Sequence, residues 1–123
     1  MSERTRSEST PQDGLPPAEI TVAAVQAPAV PGDVAANART AADLVAEAAA
    51  GGARLVVLPE LYLPAYHPPA LLDPATDVTA DDDGRVADAR LDPLRAVARE
   101  RAVVVLVGAA VRDPRGRRTC AAL

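Results

Sequence analysis

The feature that most constrains this chain is the run Leu55-Val56-Val57-Leu58, four apolar residues leading straight into Pro59 and then Glu60. An unbroken apolar run of this kind reads as a strand buried on both faces. Pro59 has no N–H to donate to a ladder, so it marks where the strand must end. Glu60 then falls just past the carboxyl end of a central strand, where open α/β sheets place their sites. Leu61, Tyr62, Leu63, Pro64, Ala65 and Tyr66 follow, which sets two tyrosines close behind the carboxylate.

The segments upstream deliver this strand. Ile20 to Gln26 is β-branched at Ile20, Thr21, Val22 and Val25 and reads as a first strand, ended by Ala27-Pro28 and a turn through Pro31-Gly32. Asp33 is placed to cap a helix running to about Ala50. Val34, Ala38, Ala41, Val45 and Ala48 share one side of that helix, widened by Leu44, while Asn37, Arg39, Thr40, Asp43 and Glu47 occupy much of the rest. Gly51-Gly52 supplies a left-handed stop. Strand, helix and strand in this order predict a parallel, right-handed βαβ unit.

Beyond Tyr66 the pattern dissolves. His67 to about Arg90 is rich in Asp and Pro with no sustained period, and a loop of that length is usually functional or mobile. Asp81-Asp82-Asp83-Gly84 invites a calcium-loop reading. On the EF-hand template, however, the first and twelfth positions would be Thr79 and Arg90, where carboxylates are required. A solvated acidic loop is the better reading. Asp92-Pro93 then opens a second helix with Asp as its cap, and Leu91, Leu94, Val97 and Ala98 form its buried stripe to about Arg101. Val103 to Val107 reads as a strand apolar on both faces that continues through Gly108 towards Val111. After a turn at Asp113-Pro114-Arg115-Gly116, Thr119 to Leu123 begins another strand, antiparallel to the last.

Composition excludes several classes. The chain has 123 residues, enough for one domain, and a net charge of -4. No basic stripe with aromatic platforms is present, which argues against a nucleic-acid surface. No apolar run approaches the roughly 20 residues of a membrane span, and no continuous apolar segment near the start suggests a secretory signal. A single cysteine fits a reducing compartment, so the expected location is cytoplasmic. Residues 1–18 are polar and Pro-rich, and are expected to form a disordered tail. Residues 19–123 make up the folded part.

The residue types limit the chemistry. Glu60, set between apolar neighbours, would be partly desolvated, which raises a carboxyl pKa towards general-base values; a strand-end Glu facing solvent or pairing with an Arg is the bland alternative. Cys120 has nothing in its local sequence to activate it and reads as a buried, inert thiol. An arrangement with His67, the one histidine, stays open. One His and one distant Cys are too few for a zinc site, and no glycine-rich phosphate cradle or serine elbow occurs. No metal and no cofactor are expected.

The stretch from Ile20 onward closely resembles the start of the carbon–nitrogen hydrolase (nitrilase) superfamily. The likeness rests on a first strand ending in Gln26, on Gly32-Asp33 and Asn37 at the head of the first helix, and on the block from Gly52-Ala53 through Pro59-Glu60-Leu61-Tyr62. Val103 to Asp113 resembles the family's next passage. One departure is Ala65, where many members have Gly before the tyrosine matching Tyr66. The resemblance implies an α/β fold, the N-terminal half of an αββα sandwich. It also implies a Glu–Lys–Cys mechanism, in which a cysteine thiolate attacks a nitrile, amide or N-carbamoyl carbon to form a thioimidate or thioester. Glu60 matches the general base, and Tyr62 and Tyr66 are expected to line its pocket.

All thirteen basic residues are Arg and there is no Lys, so the family's lysine is not among these residues. Cys120 precedes the family's lysine in chain order and does not match its nucleophile. The expectation is therefore a partial domain, truncated before the catalytic Lys and Cys, inactive by itself and prone to aggregate through an apolar sheet face. The complete enzyme is expected to be a homo-oligomer. Two other readings differ in class. One is a non-catalytic interaction module, or half-domain pairing with a separate C-terminal chain; the other is an unrelated α/β hydrolase using Cys120 and His67.

Overall fold

The computed structural model describes residues 19–123; the expected disordered tail lies outside the described residues. Strands β1 (Val22–Ala24) and β2 (Leu55–Val57), connected through helix α1 (Val34–Ala50), pair in parallel as neighbours in one sheet, which is the expected βαβ unit. Asp33 caps α1, its Oδ1 accepting from the Ala36 N–H at 3.0 Å. Val34, Ala38, Ala41 and Val45 are buried, and the small alanines let the helix lie close to the sheet. The helix stops at the glycine pair, where Gly52 takes φ +98°. Asn37 departs from expectation. It is buried rather than part of the polar face.

Helix α2 (Pro68–Leu71) and strand β3 (Val78–Thr79) lie in the stretch expected to be patternless. Strand β3 is too short to show a period, which is why no local signal marks it. Helix α3 (Asp92–Arg101) follows a short 3-10 turn at Ala89–Leu91. Asp92 is not its cap, as expected, but already inside the first turn; Leu91 precedes it with helical backbone. Asp88 caps the 3-10 turn instead, accepting from the Arg90 N–H.

The apolar run after α3 is not one strand. It splits into β4 (Val104–Leu106) and β5 (Gly108–Arg112), which belong to different sheets. The first sheet is parallel, in the order β1-β2-β4, with Val56 opposite both Ala23 and Val105. That row packs into the core with Leu94 and Val97 of α3 and the buried stripe of α1. The rows on either side point away from the helices, and Val22, Val104 and Leu106 there are 49%, 60% and 39% exposed. This sheet has an open apolar face.

The second sheet runs β3-β5-β6, where β6 is Arg118–Ala122. Strands β3 and β5 pair in parallel, and the expected antiparallel hairpin joins β5 to β6 with Ala110 opposite Cys120. One residue of the supposedly solvated acidic stretch holds this sheet together. Asp77 is buried, with Oδ2 on Arg112 at 2.7 Å and Oδ1 on Arg118 at 2.6 Å. Its two oxygens thus clamp both strands of the hairpin to the start of β3. The rest of the acidic stretch follows local turn chemistry: Asp81 Oδ1 accepts from the Asp83 and Arg85 N–H groups.

Candidate functional site

Glu60 lies where the chain leaves β2, just past the strand's carboxyl end. The crossing is anchored before and after it, by Leu58 N–H to Leu106 O at 2.8 Å and Leu63 N–H to Gly108 O at 3.0 Å. Leu61 turns the backbone at φ +51°, a conformation that a residue with a Cβ adopts only under tertiary constraint. The constraint includes Gly108. A Cβ there would stand 2.7 Å from the Glu60 carbonyl carbon and closer still to Pro59 O and Leu61 N. Gly108 is therefore a positioning residue that sequence reasoning passed over. Its signal was an isolated glycine within an apolar strand pattern, which marks close backbone approach.

Glu60 is exposed, where partial burial between apolar neighbours is expected, because the strand has already ended and the residue borders open clefts. It lines two of them. One cleft, of about 310 Å³, is bounded by Ala27, Pro28 and Pro31 on one side and by Tyr62, Tyr66 and His67 on the other. Tyr62 is buried and its hydroxyl donates to Pro28 O at 3.3 Å; burial pushes its phenol above the ordinary tyrosine value. Tyr66 is 74% exposed at the rim. The second cleft, of about 300 Å³, lies across Glu60 against Val57, Leu106, Gly108 and the end of β6.

Asn37 shapes the first cleft from behind. Its Oδ1 accepts from Val30 N–H, and its Nδ2 donates to Val30 O and Leu63 O, each at 2.8 Å. One buried side chain thus staples the loop after β1 to the loop after β2. Helical spacing puts Asn37 on the polar face, because periodicity cannot distinguish a solvated amide from a buried, fully bonded one. Ala65 adds a second local strain at φ +64°. This is where the resembling family often carries Gly, and the observed backbone supplies the reason. Ala65→Gly is expected to stabilise the fold by about 0.5–1 kcal/mol, relief of left-handed strain outweighing the added freedom of the unfolded chain. A shift of the urea midpoint to higher concentration at unchanged slope checks it.

Cys120 is the main correction at the site. A buried thiol is expected there, but Cys120 is exposed and its Sγ–H donates to Glu60 Oε1 at 3.2 Å. Hydrogen bonding to the carboxylate, with lesser contributions from desolvation and the negative charge, pushes the thiol above the ordinary cysteine value. His67 instead caps α2, Nδ1 accepting from Ala70 N–H at 3.4 Å, and lines the cleft on the other side of Glu60 from Cys120. The structure brings Glu60 together with Cys120, and Glu60 together with Tyr62 and Tyr66. Among the described residues, no group of three His, Cys, Asp or Glu side chains could hold a metal ion, and no helix is long and apolar enough to cross a membrane.

Residues 21–121, most of the chain, match the family model described as Carbon-nitrogen hydrolase. No curated protein gives a significant match to the sequence.

Proposed function

The chain belongs to the carbon–nitrogen hydrolase family, and from that premise we propose that it carries the general-base side of a site that hydrolyses a nitrile, an amide or an N-carbamoyl compound. Glu60 is the base. The observation that carries this reading is its place: past the carboxyl end of β2, on the wall shared by two small clefts, on a backbone held by Gly108. Tyr62 and Tyr66 line the substrate side.

In this reading Glu60 takes the proton of a cysteine nucleophile and later activates the water that releases the acid, while a lysine steadies the tetrahedral intermediate. There is no Lys among the 123 residues, so these residues by themselves are expected to hydrolyse none of the three substrate classes. The lysine and the nucleophile come from outside them, either later in a longer chain or from a separate chain packed on the open apolar sheet face.

The test is ammonia release from a panel of nitriles, amides and N-carbamoyl compounds by the protein in its natural genomic form. Glu60→Gln is expected to lower kcat by about 10²–10⁴-fold, the usual contribution of a positioned acid–base group. Equal turnover by the variant, or no hydrolysis of any of the three classes when the part that supplies the lysine and the nucleophile is present, would sink the proposal.

A further inference from the structure

The contact between Cys120 and Glu60 has no part in the chemistry just proposed, yet it is the one hydrogen bond that a side chain makes to Glu60 among the described residues. An exposed glutamate has three rotatable bonds and ordinarily samples several rotamers. This one is held. The hand that holds it is itself fixed: Cys120 pairs with Ala110 across the hairpin, Arg118 two residues earlier is clamped by Asp77, and Leu123 exchanges both backbone hydrogen bonds with Val107. Strand β6 is thus tied to its neighbours at both ends and presents a single donor to the Glu60 carboxylate.

We propose that Cys120 is a positioning residue for the general base: its protonated thiol holds Oε1 of Glu60 in one orientation and leaves Oε2 for the reacting proton. The idea rests on the reading of Glu60 as the base. A thiol can donate only while it keeps its proton, and a neighbouring carboxylate favours that form. The same contact that keeps Cys120 protonated, and so able to donate, makes it a poor nucleophile, because the attacking species is the thiolate. Within the cleft that contains Cys120, the titratable groups are Glu60 and Cys120 themselves. The nearby guanidinium groups of Arg112 and Arg118 are turned onto Asp77. Tyr62, Tyr66 and His67 line the cleft on the other side of Glu60.

Two measurements test this without an assay of hydrolysis, so failure of the proposed activity and failure of the positioning role are separable. Alkylation by iodoacetamide, read by mass spectrometry on the peptide that contains Cys120, reports on that thiol separately from any nucleophile supplied outside these residues, among which Cys120 is the one cysteine. The wild type is expected to label at pH 8 about threefold or more slowly than Glu60→Gln, with a midpoint above the ordinary thiol value of about 8.5 that returns towards it in the variant. Coincident profiles overturn the proposal, whether the chain is folded or not. A wild-type midpoint below the ordinary value overturns it in favour of an activated nucleophile. The second measurement is the Glu60 side-chain rotamer, read from methylene couplings by NMR. One rotamer is expected in the wild type and in Cys120→Ser, which keeps a donor, and averaging in Cys120→Ala. An unchanged rotamer in Cys120→Ala overturns it, as does averaging in Cys120→Ser.

Discussion

Gly108→Ala is expected to destabilise the fold by on the order of 3 kcal/mol or more, as overpacking against atoms that cannot retreat. The difficulty is space and not backbone conformation, since Gly108 does not take a positive φ. The atoms its new methyl would meet are backbone atoms of Pro59, Glu60 and Leu61. These cannot swing aside as the tip of a side chain would. Pro59 has a fixed φ, Leu61 is already in the left-handed region, and the hydrogen bonds at Leu58 and Leu63 fasten the segment on both sides. The strand and the crossing must separate. For a domain of this size such a loss corresponds to a drop in Tm of roughly 10 °C or more, read by circular dichroism. The displacement also carries Glu60 away from β6, so the alkylation profile of Cys120 should move towards that of Glu60→Gln. A Tm within about 2 °C of the wild type would show that the segment is softer than its contacts imply.

Asn37→Ala has the second largest expected effect, about 2–4 kcal/mol. It removes three hydrogen bonds and leaves Val30 N–H, Val30 O and Leu63 O to find other partners, with Leu63 only 1% exposed. Urea denaturation gives the magnitude. Asn37→Asp separates lost packing from lost donors. The carboxylate keeps an acceptor for Val30 N–H but meets two carbonyl oxygens with no hydrogen to offer. At pH 7 it is expected to be less stable than Asn37→Ala. Its folded-state pKa is raised by burial and by those carbonyls, so its native state binds more protons than its unfolded state, and stability rises as the pH falls through that raised value. If Asn37→Asp matches the wild type at neutral pH, the staple between the two loops is not what holds them.

The parts legible in the sequence were those governed by neighbours along the chain. Asp33, the alanine stripe and Gly52 make α1 through capping, spacing and a left-handed stop, all local effects. The run Leu55–Leu58 closed by Pro59 gives a strand end, and with it the position of Glu60, by an equally local rule: proline cannot continue a ladder. The hairpin of β5 and β6 was readable from its turn residues. What escaped was local in nothing. Strand β3 is two residues long and exists because it pairs with β5, more than thirty residues away. Asp77 looks like any loop aspartate until Arg112 and Arg118 arrive beside it. The break at Val107 is invisible because both halves of the run are apolar, and only the crossing of Pro59–Leu61 over Gly108 makes the chain change sheets.

Local rules alone place a carboxylate after an apolar strand of a βαβ unit, and no lysine stands among these residues. Tertiary structure decided what that carboxylate touches. Glu60 and Cys120 are sixty residues apart, and their contact depends on the register of one hairpin, on the ion pairs that clamp it and on the missing side chain of Gly108. None of these leaves a periodic trace. Periodicity reports which face of an element meets the core, whereas the meeting of two polar atoms at 3.2 Å is set by how separate elements are docked.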